Sequence, residues 1–222
     1  YVQRSLIALE EKGVPYEIEY IDLTAKPEWF LELSPTGKVP LMLVPREGAD
    51  DAVLFESSVI AEYIDETRGE GRLHPSDPLE RAQHRAFIEL ASAFNMDVHR
   101  IYVAQDAAGA EASIAAARAK LERVLANLQG PFFAGERFSL LDAAWAPGLQ
   151  RLGWCEELRP EISLLAEGGP LAAWHQALVQ RPSVVASTVS AIHERFLSYL
   201  AGDRGQNKRD EPRSWLLPEE PA

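Results

Sequence analysis

Cysteine is almost absent from this chain: among 222 residues only Cys155 carries a thiol. One cysteine cannot close an intramolecular disulfide or build a cysteine-rich zinc site, and such usage suits a reducing compartment, so the expected location is the cytoplasm. No run of about 18 apolar residues is available to span a bilayer and no signal peptide opens the chain, so no membrane is expected as a partner. Positive charge is scarce too. Lys and Arg number 22 against 34 Asp and Glu, a net charge of −12, which repels phosphate backbones at long range and excludes nucleic acid as an expected partner. The histidines His74, His84, His99, His175 and His193 neither flank a glutamate at i, i+4 spacing nor cluster with cysteine, so no metal site is expected. Gly37-Lys38 ends no phosphate-binding loop, because Val39 follows where Ser or Thr must reach magnesium. With 46% apolar and 25% charged residues, the chain has the composition of an ordinary folded protein.

The first 70 residues change period every ten or so. Val2, Leu6 and Leu9 recur at helical spacing before a Gly13, Pro15 stop. Tyr16, Ile18 and Tyr20 alternate with Glu17 and Glu19, which predicts a strand, and Pro27 to Phe30 starts a second helix. Leu41 to Val44 and Ala52 to Phe55 predict a buried hairpin around a Gly48 to Asp51 turn, and Ser57 is expected to cap a helix carrying Ile60, Tyr63 and Ile64. Residues 1–67 therefore predict a mixed α/β domain, with 68–78, rich in Gly and Pro, as the linker. From 79 to 201 every signal is helical: apolar stripes run through Phe87 to Ile101 and Ile114 to Leu128. Ser139-Leu140-Leu141-Asp142 has the spacing of a capping box, and helix is expected over Leu171 to Leu178 and Val184 to Leu200. Residues 202–222 are charged and Pro-containing and are expected to be loose.

Three groups of residues carry candidate chemistry. Val39-Pro40 leads straight into a strand, where proline donates no hydrogen bond, so a bend is expected there; a cis peptide is one way to make it, and from spacing alone a plain tight turn accounts for it as well. Glu56-Ser57 stands where a strand ends and a helix begins, and the unpaired N–H groups of a helix N-terminus favour a carboxylate. Lys26 and Lys38 are cations in loops before these positions, able to pair with a second carboxylate. Cys155 is expected to be inert, because Glu156 and Glu157 follow it and disfavour a thiolate.

Together these motifs resemble the cytosolic glutathione transferases. "LTAKPEWF" at Leu23 to Phe30, "GKVPLMLV" at Gly37 to Val44 and "LFESSVIAEYIDE" at Leu54 to Glu66 are most similar to the omega-like, cysteine-type members and their bacterial relatives, and "FSLLDAAWAP" at Phe138 to Pro147 is similar to the family's helical-domain cap. The resemblance implies a thioredoxin-like N-terminal domain followed by an all-helical C-terminal domain. It implies glutathione as co-substrate, no other cofactor, and a homodimer. Carried over residue by residue, Glu56 and Ser57 would hold the γ-glutamyl end, Val39 would pair its backbone with the cysteinyl unit beside a cis Pro40, and Lys26 would reach the glycyl carboxylate. Lys38 stands where relatives carry an apolar residue and would supplement Lys26 or substitute for it. Tyr1 and Tyr102 are candidates for lining the acceptor site between the domains.

The same resemblance places a Cys-Pro dipeptide immediately upstream, so the catalytic residue is expected two positions before Tyr1 and the first strand before that, in a chain truncated at its N-terminus. The implied activity is glutathione-dependent thiol transfer or reduction on a small electrophilic or disulfide substrate. The alternatives are a conjugating transferase that uses an upstream Ser or Tyr, and a non-catalytic binding module of the same fold.

Overall fold

The computed structural model describes residues 1–202 and 213–218. Its first part is built on helix α1 (Val2–Glu11), whose Ile7, Ala8 and Leu9 are buried against the inner face of α3 (Ser57–Thr67), where Ile60, Ala61 and Ile64 lie. Between them come the short α2 (Glu28–Leu33) and the antiparallel hairpin β1 (Leu41–Arg46) and β2 (Ala49–Phe55). The register pairs Leu41 with Phe55 and Val44 with Ala52, and slips between Val44 and Arg46. Pro45 lies at that slip, where it has no N–H to offer the ladder. The turn is tighter than the sequence predicts: Glu47 and Gly48 make it, with Gly48 at φ 72°, and Ala49 already belongs to β2.

The strand expected over Tyr16 to Tyr20 does not form. A strand exists only with a neighbour to bond, and the described sheet holds β1 and β2 alone. Of the alternating residues, Tyr16 donates its hydroxyl to Glu10 Oε1 at 2.6 Å, while Ile18 and Tyr20 are exposed.

The second part is helical. Helix α4 (Pro78–Val103) starts with Pro78 at its first position and Asp77 as cap, whose Oδ1 accepts from the Leu79 and Glu80 amides at 2.9 Å. Helix α5 (Ala107–Leu125) and α6 (Leu140–Leu158) pack on it. Helix α6 is apolar nearly all round from Leu140 to Leu149 and is accordingly central. Its predicted capping box forms: Ser139 Oγ faces the Asp142 amide, and Asp142 Oδ2 accepts from the Ser139 amide at 2.9 Å. Asp142 also accepts from the Phe133 amide at 2.9 Å and from Trp174 Nε1 at 2.8 Å, so one buried carboxylate ties α6 to the preceding loop and to α7 (Pro170–Val179).

Two expectations for the C-terminal part fail. The helix over Val184 to Leu200 is two helices, α8 (Pro182–Ala186) and α9 (Ile192–Leu200). Ser187 and Thr188 donate their hydroxyls to the Val184 and Val185 carbonyls at 2.6 and 3.2 Å, taking acceptors the helix would need to continue. The segment expected to be loose after Gly202 is held over 213–218; the remainder of that expectation lies outside the described residues. Trp215 Nε1 donates to the Ile101 carbonyl at 2.8 Å, Leu216 is fully buried, and the Arg159 guanidinium bonds the Trp215 and Leu217 carbonyls.

Candidate functional site

The register of the hairpin brings the first group of predicted residues together. Leu41 faces Phe55, so Val39-Pro40, immediately before β1, lies at the same end as Glu56-Ser57, immediately after β2. The Val39-Pro40 peptide is cis. Lys26 joins this end: its Nζ lies 3.9 Å from the point a side-chain carbon on Gly37 would occupy. The Gly37-Lys38 turn is fixed by Ser34, whose carbonyl accepts from the Gly37 amide at 3.1 Å and whose hydroxyl donates to the Lys38 carbonyl at 3.3 Å. Lys26 and Lys38 are exposed and Ser57 is buried.

Glu56 and Ser57 exchange the roles the sequence suggests. Glu56 is the N-cap, its carbonyl accepting from the Ile60 amide at 2.9 Å, and Ser57 is the first helical residue. Glu56 adopts φ 68° and ψ 116°, a region that costs a side-chain-bearing residue about 1–3 kcal/mol and that concentrates at ligand clamps. No side chain caps α3, so its first-turn N–H groups remain available to an anion.

The second group, Tyr1 and Tyr102, lines a cavity of about 420 Å³ between the two parts of the molecule. The first turn of α1, α4, α6 and the α8–α9 connection form its walls. Tyr102 is fixed edge-on against His99 and Phe196, with ring centroids 4.9 and 5.3 Å away. Helix α1 joins the two regions: Ser5 Oγ donates to the Ser57 carbonyl at 3.5 Å, while Tyr1 and Val2 border the cavity.

Arg151 and Asn95, also on the cavity wall, were not among the sequence candidates. The available signal is modest: Arg151 is the one cation in the α6 sequence. Cys155 lies elsewhere, fully buried in the core, and its thiol is pushed up to about 12. Burial is the main cause and the Glu156 charge a secondary one, so the acidic neighbours that predict an inert thiol are the smaller effect. Among the described residues no group of three or more His, Cys, Asp and Glu side chains could hold a metal, and no helix is long and apolar enough to cross a membrane.

Residues 1–67 match the family model for the glutathione S-transferase N-terminal domain, and residues 83–182 match that for the C-terminal domain. The chain is 36% identical over 186 residues to glutathione S-transferase omega-1 of Rattus norvegicus, covering 79% of this chain and 76% of the relative. It is 34% identical over 208 residues to pyrimidodiazepine synthase of Drosophila melanogaster, covering 89% and 80%. The crystal structure of glutathione transferase Omega 3C from Trametes versicolor superposes with a TM-score of 0.74 at 29% identity, covering 86% of this chain and 85% of that one. With both domain models matched in order and that fold shared, the chain belongs to the glutathione transferase family as an omega-like member, a thioredoxin-like domain followed by an all-helical one.

Proposed function

We propose that this transferase moves thiols between glutathione and a small disulfide or electrophilic acceptor, through a cysteine two positions before Tyr1. The observation that carries the reading is the place of α1: its first turn stands between the uncapped N-terminus of α3 and the interdomain cavity. Glutathione has carboxylates at both ends. Glu56 and Ser57, at the start of α3, would hold the γ-glutamyl end, the Val39 backbone beside Pro40 would pair with the middle, and Lys26, supplemented by Lys38, would meet the glycyl carboxylate. A thiol entering at α1 would sit at the positive end of that helix, which favours the thiolate near neutral pH.

The thiolate attacks the glutathione sulfur of a mixed disulfide, forming an enzyme–glutathione disulfide and releasing the acceptor thiolate, which takes a proton from water. A second glutathione thiolate then attacks that disulfide, giving oxidised glutathione and restoring the enzyme thiolate. Acceptors would enter by the cavity beside Tyr1 and Tyr102. The enzyme would work as a homodimer in the cytoplasm.

The test is reduction of a glutathione mixed disulfide by the protein carrying its native upstream segment, with that cysteine replaced by Ser as the comparison. Loss of turnover in the Ser variant is expected. Full activity without the cysteine would refute the assignment, and an upstream Ser or Tyr in its place would make the enzyme a conjugating transferase.

A further inference from the structure

The first turn of α1 gathers positive charge in a chain whose net charge is −12. It holds no Asp or Glu, and its N-cap, Tyr1, makes no side-chain cap, so nothing on the helix offsets the positive end of its dipole. Arg4 lies in this turn and is only 2% exposed. Its Nη1 donates to Ser92 Oγ of α4 at 2.9 Å, and the Tyr1 ring covers its guanidinium, the centroid 5.0 Å away. Nε and Nη2 are buried with no acceptor, and among the described residues no carboxylate pairs with the group. Burial pulls its basicity down to about 10, against the opposing charges of Tyr1 and Glu89.

A second guanidinium reaches the same turn. Arg151 Nη1 donates to Gln3 Oε1 at 2.9 Å, and among the described residues it too forms no ion pair. The amino end of Tyr1 feels both: desolvation, and next the charges of Arg4 and Arg151, lower it to about 5. A buried cation without a counter-ion is costly, and an apolar side chain would join α1 to α4 without that penalty, so packing alone does not account for the charge.

We propose that Arg4 is a positioning residue of the thiol exchange: its unpaired guanidinium, with Arg151 adding to the field, holds the sulfur that enters at the start of α1 as a thiolate. The inference rests on the upstream cysteine of the reading above and adds the side chains that set its reactivity. Both half-reactions gain. In the first the enzyme sulfur attacks as a thiolate. In the second the glutathione thiolate attacks the glutathione sulfur, the bond to the enzyme sulfur breaks, and the electron pair returns to the enzyme sulfur, a leaving group that the two cations stabilise.

The rate of alkylation by neutral iodoacetamide across pH, in the protein carrying its native upstream segment, gives the pKa of the reactive thiol; Cys155, fully buried, does not contribute. Arg4→Met should raise that pKa by about one unit, which is about tenfold less thiolate on the acid side of the titration. Arg4→Lys keeps the charge and should stay within about 0.5 unit of the parent. Arg151→Gln should move the pKa in the same direction by less, and it carries the test if Arg4→Met does not fold. Loss of a merely structural link between α1 and α4 would lower stability in urea and leave the pKa in place. An unchanged pKa in folded Arg4→Met or, failing that, in Arg151→Gln, or an equal rise in Arg4→Met and Arg4→Lys, would overturn the proposal. A parent with no reactive thiol at any pH would refute the cysteine reading itself, which an unchanged pKa leaves standing.

Discussion

Acid should weaken this protein through one histidine pair. His84 of α4 is buried beside His74 of the interdomain segment, ring centroids 6.2 Å apart, and against Phe133 at 5.7 Å. Burial, and next the charge on His74, push His84 down from an ordinary 6.5 to about 4; burial lowers His74 as well, opposed by Glu62 and Asp65 of α3 and aided by Arg85. The unfolded chain therefore binds a proton at a higher pH than the folded one. The stability that neutral His84 contributes is fully present above about pH 6.5 and is lost as pH falls toward 4, where the folded state protonates too. Between pH near 7.5 and pH near 5, that one group withdraws about 2 kcal/mol by linkage. His84→Leu keeps an apolar side chain against Phe133 and removes the titration. Urea unfolding followed by tryptophan fluorescence, at both pH values, should show the variant losing about 2 kcal/mol less than the parent on acidification. Matching losses in the two proteins, within about 0.5 kcal/mol, would show that His84 is not held neutral by burial.

Asp142→Ala strands the Phe133 amide, the Ser139 amide and Trp174 Nε1 in the core, and at about 1–3 kcal/mol for each unpaired group it should cost about 3 kcal/mol or more of the roughly 5–15 available; a loss below about 1 kcal/mol in urea would contradict that role. Ser57→Ala and Lys26→Ala should each raise the Michaelis constant for glutathione about severalfold, because in the proposed site each would remove a charge-assisted bond to a tripeptide carboxylate; unchanged constants in both would remove the site assignment. Cys155, fully buried, should resist iodoacetamide in the native protein and react once it is unfolded, and Cys155→Ser should leave turnover of the full-length enzyme intact. Glu56→Gly, which admits φ 68° freely, should hold or raise the melting temperature while weakening glutathione binding; a clear loss of stability would mean that the Glu56 side chain, and not the ligand, supports that backbone.

What the sequence reveals about this fold depends on whether the deciding contact is near or far along the chain. Helices α1, α3 and α4 are legible because their apolar period is a local property, and the Ser139-to-Asp142 box because both partners lie within one turn. The alternation at Tyr16 to Tyr20 is equally real, but strand formation depends on a neighbour that no local pattern specifies. Trp215 is hidden in the same way: its surroundings in sequence are charged, while the Ile101 and Ala104 carbonyls that accept from its indole and its amide lie more than a hundred residues upstream. The glutathione-site candidates came from motif resemblance, and only the hairpin register explains why positions 39–40 and 56–57 share one end of the sheet. Arg151 has no motif to announce it, because the Gln3 side chain that holds it lies 148 residues upstream.

Long-range ion pairs settle how α1 is held. At its C-terminal end, the Glu11 carboxylate receives Arg181 Nε and Nη2 at 2.5 and 2.7 Å, and the Arg181 guanidinium lies 4.3 Å from the Phe138 ring centroid, which locks the helix to the second domain. One residue on, Lys12 Nζ meets Asp65 Oδ1 of α3 at 3.2 Å with both side chains almost wholly buried, and Asp65 also accepts from the Leu73 and His74 amides at 2.7 and 3.1 Å. The same carboxylate thus joins the first domain to the segment that leads into α4. Buried pairs of this kind contribute little net stability but cost several kcal/mol when one partner is removed, so they define geometry more than they add free energy. Their position is the functional point. Helix α1 is anchored to both domains at the end away from the site, while its first turn faces Ser57 on one side and the interdomain cavity on the other. A nucleophile carried into that turn would be held in fixed relation to both substrates, which is what a two-step thiol exchange requires.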